Sequence, residues 1–170
     1  MTMPTEPSAV APTLRPLSTV VTSLRPLNAD LLEAIGELNE LWRQLRAIER
    51  TNFEEKEQIA AFVRINLTEK IEGFRESLAA LRSHIAVLQA QLNLPLVHAI
   101  SRTFVDDLRT VRDHLIRVDH EYTRQLERLS TCEKPEEFGE EEAIKETSLF
   151  DSNYRLVAAL RRLRADLTLK

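Results

Sequence analysis

The chain is short of the residues that make tight turns, disulfides and sheets. Three glycines in 170 residues are too few to build a glycine-rich phosphate loop. The single cysteine, Cys132, forms no internal disulfide and is too little for a metal site. Aromatic residues make up 5% of the chain, a composition that points away from sheets. No apolar run approaches the roughly 20 residues that a membrane-spanning helix needs. Neither sign of charge dominates, since 23 basic and 27 acidic residues leave −4 at pH 7. No global basic field therefore invites nucleic acid or an acidic membrane surface.

The N-terminus also lacks a basic segment followed by an apolar core, so no secretory signal is expected. Its Ser, Thr, Pro and Ala bias, with only Arg15 and Arg25 as bases, resembles an organelle transit peptide slightly. The expectation is an intracellular, cytoplasmic protein, with organelle targeting by the N-terminal arm as the alternative.

What is abundant is Leu, Ala, Glu and Arg, the residues of helices. Residues 1–28 are the exception. Five prolines there predict an extended or disordered arm. It carries a short repeat, "TLRPLS" (13–18) and "SLRPLN" (23–28), whose leucines either dock in a partner's groove or pack on the chain's own bundle.

A single helical domain is expected over 29–170. Its first helix, 29–50, opens on Asn28 as N-cap with Asp30 in the first turn. Leu31, Ile35, Leu38, Trp42 and Leu45 repeat at steps of four and three, the stripe of a helix packed into a bundle. Thr51-Asn52-Phe53-Glu54 fits a capping box, so a second helix is expected over 52–93, with one bent continuous helix as the alternative. Its core positions run from Ala60, Val63 and Leu67 through Phe74 and Leu81 to Leu92. Pro95 suits the first turn of a third helix, 95–131, with core positions from Val97 and Phe104 to Leu126 and Leu129.

Folding the third helix back through Asn93–Pro95 pairs Leu92 with Val97, Ile85 with Phe104, Phe74 with Leu115 and Leu67 with Tyr122. In that register Lys70 lies level with Asp119, and Arg82 with Asp107. The predicted fold is therefore all-α: an elongated helical bundle on a long antiparallel coiled-coil hairpin, about residues 53–93 and 95–131, with two shorter packing helices. The second of these, 150–168, follows an acidic stretch over 133–147 that reads as a solvated linker or, more sharply, as a cover for a basic surface. It starts at "SLFD" (148–151) and buries Leu156, Val157, Leu160, Leu163 and Leu167.

The pattern holds no catalytic constellation. None of His84, His98, His114 and His120 follows a glutamate by three residues, as paired metal ligands in helical bundles do. His84 and His114 flank core positions and read as boundary residues. Neither an enzyme, nor a metal, nor any other cofactor is expected.

Two surfaces remain. Val87, Leu88, Leu94, Leu96 and Val105 gather near the reversal, where the short helices are predicted to leave the hairpin two-stranded. Such a patch marks an association site, for self-dimerisation or another subunit, unless the first helix, the last helix or the N-terminal arm folds over it. Arg155, Arg161, Arg162 and Arg164 concentrate base on the last helix, the basis of a nucleic-acid reading that the sparse aromatics disfavour. The expected function is a non-catalytic structural, adaptor or assembly subunit acting through coiled-coil protein–protein contacts. The alternative is a small helical subunit that contacts nucleic acid through its basic C-terminal helix within a larger complex.

Overall fold

The computed structural model describes residues 6–52, 54–135, 139, 143–146, 149–150 and 153–169, with backbone alone over 6–13 and at 169. Five helices and no strand are present among them: α1 (Glu6–Glu49), α2 (Lys56–Leu92), α3 (Pro95–His98), α4 (Arg102–Thr131) and α5 (Tyr154–Leu169). The fold is an all-α helical bundle. Its chain divides into two compact units: Met1–Asn28, Ala80–Val118 and Ser148–Lys170 in the first, Ala29–Ala79 and Asp119–Thr147 in the second.

The largest departure from expectation is at the N-terminus. The segment expected to be an extended arm is the first half of α1. Leu14, Leu17, Val21, Leu24, Asn28, Leu31, Ile35, Leu38, Trp42 and Leu45 alternate steps of three and four without a break, and all are buried. Proline inside a helix costs about 3 kcal/mol, which is why composition suggested an arm. Pro16 and Pro26 both face solvent, as does Thr22, whose carbonyl Pro26 leaves without a helical donor. Burial of Leu14, Leu17, Val20, Val21, Leu24 and Leu27 returns roughly 1.5–3 kcal/mol each as an upper estimate, enough to outweigh two solvent-facing prolines. The repeat is thus two turns of one helix, with leucines inward and prolines outward. Asn28 caps nothing; it sits mid-helix at a core position.

α1 and α2 are separate helices. α1 ends as the Thr51 hydroxyl and N–H both donate to the Ile48 carbonyl, and the Lys56 ammonium donates to the Glu49 carbonyl at 3.0 Å. A cation on the last carbonyls satisfies both unpaired acceptors and the helix dipole. The expected capping box does not start the second helix: the Thr51 hydroxyl is committed to Ile48 and α2 begins at Lys56, while Phe53 lies outside the described residues.

The reversal is wider than a single Asn93–Pro95 turn. Pro95 opens only the four-residue α3; the chain leaves helix again, and the Ser101 hydroxyl accepts the Phe104 N–H at 3.0 Å as cap of α4. The expected third helix is therefore two helices, and the extra connection shifts the register. In the second unit the ring of Phe74 meets Tyr122 at 5.8 Å between centroids, seven residues beyond Leu115, its expected opposite. The Arg75 guanidinium reaches the Ser130 hydroxyl at 3.5 Å. Because both apolar lists repeat every seven residues, the slide leaves the same residues inside. The charges choose new partners: Lys70 pairs with Glu37 of α1 at 2.8 Å, and Asp107 takes Arg162 of α5.

The stretch after α4 is also more than a solvated linker. Ile144 and Leu149 are buried, and side-chain amides hold their backbone. In the second unit Asn39 donates to the Ile144 carbonyl at 2.7 Å and accepts the Ile144 N–H at 2.9 Å, while the Gln125 carbonyl oxygen accepts the Lys145 N–H at 2.7 Å. In the first unit the Asn28 carbonyl oxygen accepts the buried Leu149 N–H at 2.9 Å. Most of the glutamates of 133–147 lie outside the described residues, as do Ser148 and Asp151 of "SLFD". α5 instead starts after Asn153, whose side chain accepts the Leu156 N–H.

Candidate functional site

The apolar cluster expected at the reversal is largely interior. Leu88 is 0% and Val105 4% exposed, and Val97 of α3 is buried beside them in sequence. The first half of α1 and the whole of α5 share this unit with the reversal, so the half expected to stay two-stranded is built into a core. Val87 and Leu96 are half-buried and Leu94 is 37% exposed. These three do not form the predicted five-residue surface once Leu88 and Val105 are withdrawn.

The exposed apolar residues lie elsewhere. In the second unit Ile59, Phe62 and Ile65 are exposed, Phe62 and Ile65 by 66% and 60%. Steps of three residues set all three on one side of α2, away from the Ala60–Val63–Leu67 stripe. Glu69 and Glu76, four and eleven residues after Ile65, continue this side and are exposed, and neither makes an ion pair among the described residues. Glu72 is exposed there too, paired with Arg75 at 2.7 Å.

The four candidate arginines of α5 separate. Arg162 forms a two-pronged bond to Asp107 of α4, at 2.7 and 2.9 Å. The Asp107 carboxylate is buried, and its hydrogen bond and charge raise the Arg162 pKa above its ordinary value. Arg155 is exposed in a depression near Thr103 and Asp106. Arg161 and Arg164 turn instead toward α1, where Arg25 joins them at the rim of an open groove of about 350 Å³. Its floor is Val21 and Leu24 of α1 with Val157 and Leu160 of α5. Val157 and Leu160 are only half-buried for that reason, while Ala159 takes an inward position with Leu156 and Leu163. None of Arg25, Arg161 and Arg164 makes an ion pair among the described residues. Arg25 belongs to the second "LRPL" copy and was missed because its segment did not read as a helix.

His114 is a core residue of the first unit rather than a boundary one. Among the described residues neither ring nitrogen has a partner of good hydrogen-bonding geometry, although the Leu149 backbone lies close by. Burial first, then the Arg117 charge, pushes its pKa below 6.5, although the nearby Leu149 backbone opposes this; burial also lowers that of His84. With folded values below unfolded ones, the unfolded chain takes up protons first as pH falls. Stability contributed by these neutral rings is full above about pH 6.5 and declines below it, until the folded rings protonate too. His114→Leu is expected to raise stability by about 1 kcal/mol at pH 7 by removing a buried polar ring that is poorly partnered among the described residues. It should also flatten the loss of stability between pH 7 and 5; urea titrations at both pH values check this, and an unchanged slope refutes it.

Among the described residues no three His, Cys, Asp or Glu side chains gather as a metal site, and no helix is long and apolar enough to cross a membrane. Cys132 is half-buried at the end of α4. The chain matches no protein-family model, no curated protein and no solved structure.

Proposed function

We infer that this chain is a non-catalytic assembly or adaptor subunit that binds protein through coiled-coil-type contacts between helix faces. The observation that carries this reading is the exposed row Ile59, Phe62 and Ile65. Leaving a phenylalanine in water forfeits roughly 1.5–3 kcal/mol of burial, and contiguous apolar residues with a charged border mark association surfaces. A partner helix lying along α2 at that row would interleave its own apolar residues between them.

A photo-crosslinking residue at position 62, introduced into the full chain in its own cells, tests the reading. A protein crosslink that Ile59→Glu with Ile65→Glu abolishes is expected. Absence of any protein crosslink, to itself or to another chain, overturns the proposal.

The alternative, a nucleic-acid contact through α5, draws on Arg161 and Arg164, with Arg25 of α1 beside them, none of which makes an ion pair among the described residues. Arg162 is occupied by Asp107 and Arg155 faces a different depression, so no continuous basic stripe forms along the helix. That alternative requires binding whose affinity falls steeply with salt and is lost on removing Arg161 and Arg164.

A further inference from the structure

We propose that the arginine-rimmed groove of the first unit receives the α2 row of a second copy of this chain, so that copies join head to tail. The inference rests on the protein-binding reading above and names the partner.

Two unsatisfied surfaces carry it. The groove has an apolar floor, Val21, Leu24 and Leu160 among it, under the guanidinium groups of Arg25, Arg161 and Arg164. An occupant must bring apolar side chains flanked by acid, because burying three cations without counter-charges is costly. The α2 row has that composition. Phe62 and Ile65 project into solvent, and Glu69, Glu72 and Glu76 follow on the same side of the helix. Seating the two apolar residues on the floor would bring glutamates along α2 to the arginine rim. A helix in a groove is a common mode of recognition, and its anchors recur one turn apart, as Phe62 and Ile65 do.

The groove is less suited to a nucleic acid strand. Its lining is mainly aliphatic, with Phe150 as the one aromatic among the described residues, whereas single strands are held by stacking successive bases on several aromatic side chains. The two surfaces differ, so the contact is heterologous: each copy still offers one free groove and one free row. Such contacts continue into chains of copies unless the rotation closes a ring. Association is therefore expected to grow past the dimer as concentration rises, and to weaken with salt because the rim pairs are exposed.

Sedimentation of the full chain over a range of concentration and salt tests the proposal with two variants. Arg161→Glu with Arg164→Glu alters the rim alone, and Glu69→Lys with Glu76→Lys alters the row alone. All four positions are exposed, and circular dichroism verifies that both variants fold. Each variant alone should associate about tenfold or more weakly than the wild type, the scale of two reversed surface pairs. Mixed, they should recover association, since one supplies an intact groove and the other an intact row. A wild type that stays monomeric overturns the proposal, as does a mixture that fails to recover. So does a groove that binds a single-stranded oligonucleotide while self-association ignores both variants. If position 62 crosslinks only to a different protein, the self-association is wrong and the protein-binding function stands; if it crosslinks to none, both fall.

Discussion

Leu88→Glu is expected to unfold the first unit. Leu88 is fully buried, and the substitution places a carboxylate among aliphatic side chains with no counter-charge. Either the group ionises at a large desolvation cost or it is held neutral through a strongly raised pKa. With the loss of packing, the penalty is more than about 4 kcal/mol, a large share of a small domain's 5–15 kcal/mol. Urea unfolding followed by circular dichroism measures it. Leu94→Glu, at a position 37% exposed, is the comparison and should lie within about 0.5 kcal/mol of the wild type. If Leu88→Glu stays folded and only changes oligomeric mass, the reversal is a surface after all.

Breaking the Asp107–Arg162 pair should be strongly asymmetric. The Asp107 side chain is 5% exposed and that of Arg162 is 52% exposed. Arg162→Met leaves the buried Asp107 carboxylate without its two-pronged partner and should destabilise the fold clearly more than Asp107→Leu does. Asp107→Leu leaves a guanidinium that can turn to water, and should cost less than about 1 kcal/mol. Adding Asp107→Leu to Arg162→Met should recover most of the loss. The three variants in one denaturation series settle the point; equal losses in the two single variants would mean that the pair is not what holds α5 to α4.

The inward faces of α2, α4 and the second half of α1 were legible because burial imposes a period that sequence records directly. Register was not. Two seven-residue repeats fit one another at several offsets, and the offset is chosen by the length of the connection. That length turned on Ser101, a single N-cap serine that splits the expected third helix. The N-terminal half of α1 was hidden by its prolines, whose cost is local while the compensating burial is tertiary. The same error concealed Arg25, and with it the groove, and left the reversal seeming uncovered. Asn28 shows the limit most plainly: an asparagine before an apolar stripe signals a helix start, yet here it accepts a hydrogen bond from Leu149, 121 positions away.

That separation bears on the order in which the molecule assembles. Most helix bonds and the α2–α3–α4 reversal join near neighbours in sequence, whereas Asn39 to Ile144 spans 105 positions and Asn28 to Leu149 spans 121. Both amides lie on α1, and both wait for a segment 105 or more positions further along. Contacts between such distant positions become favourable only after the intervening chain is already in place. The segment around Ile144 and Leu149 is therefore expected to dock onto α1 only after α2, α3 and α4 have been made, held there by a few polar bonds.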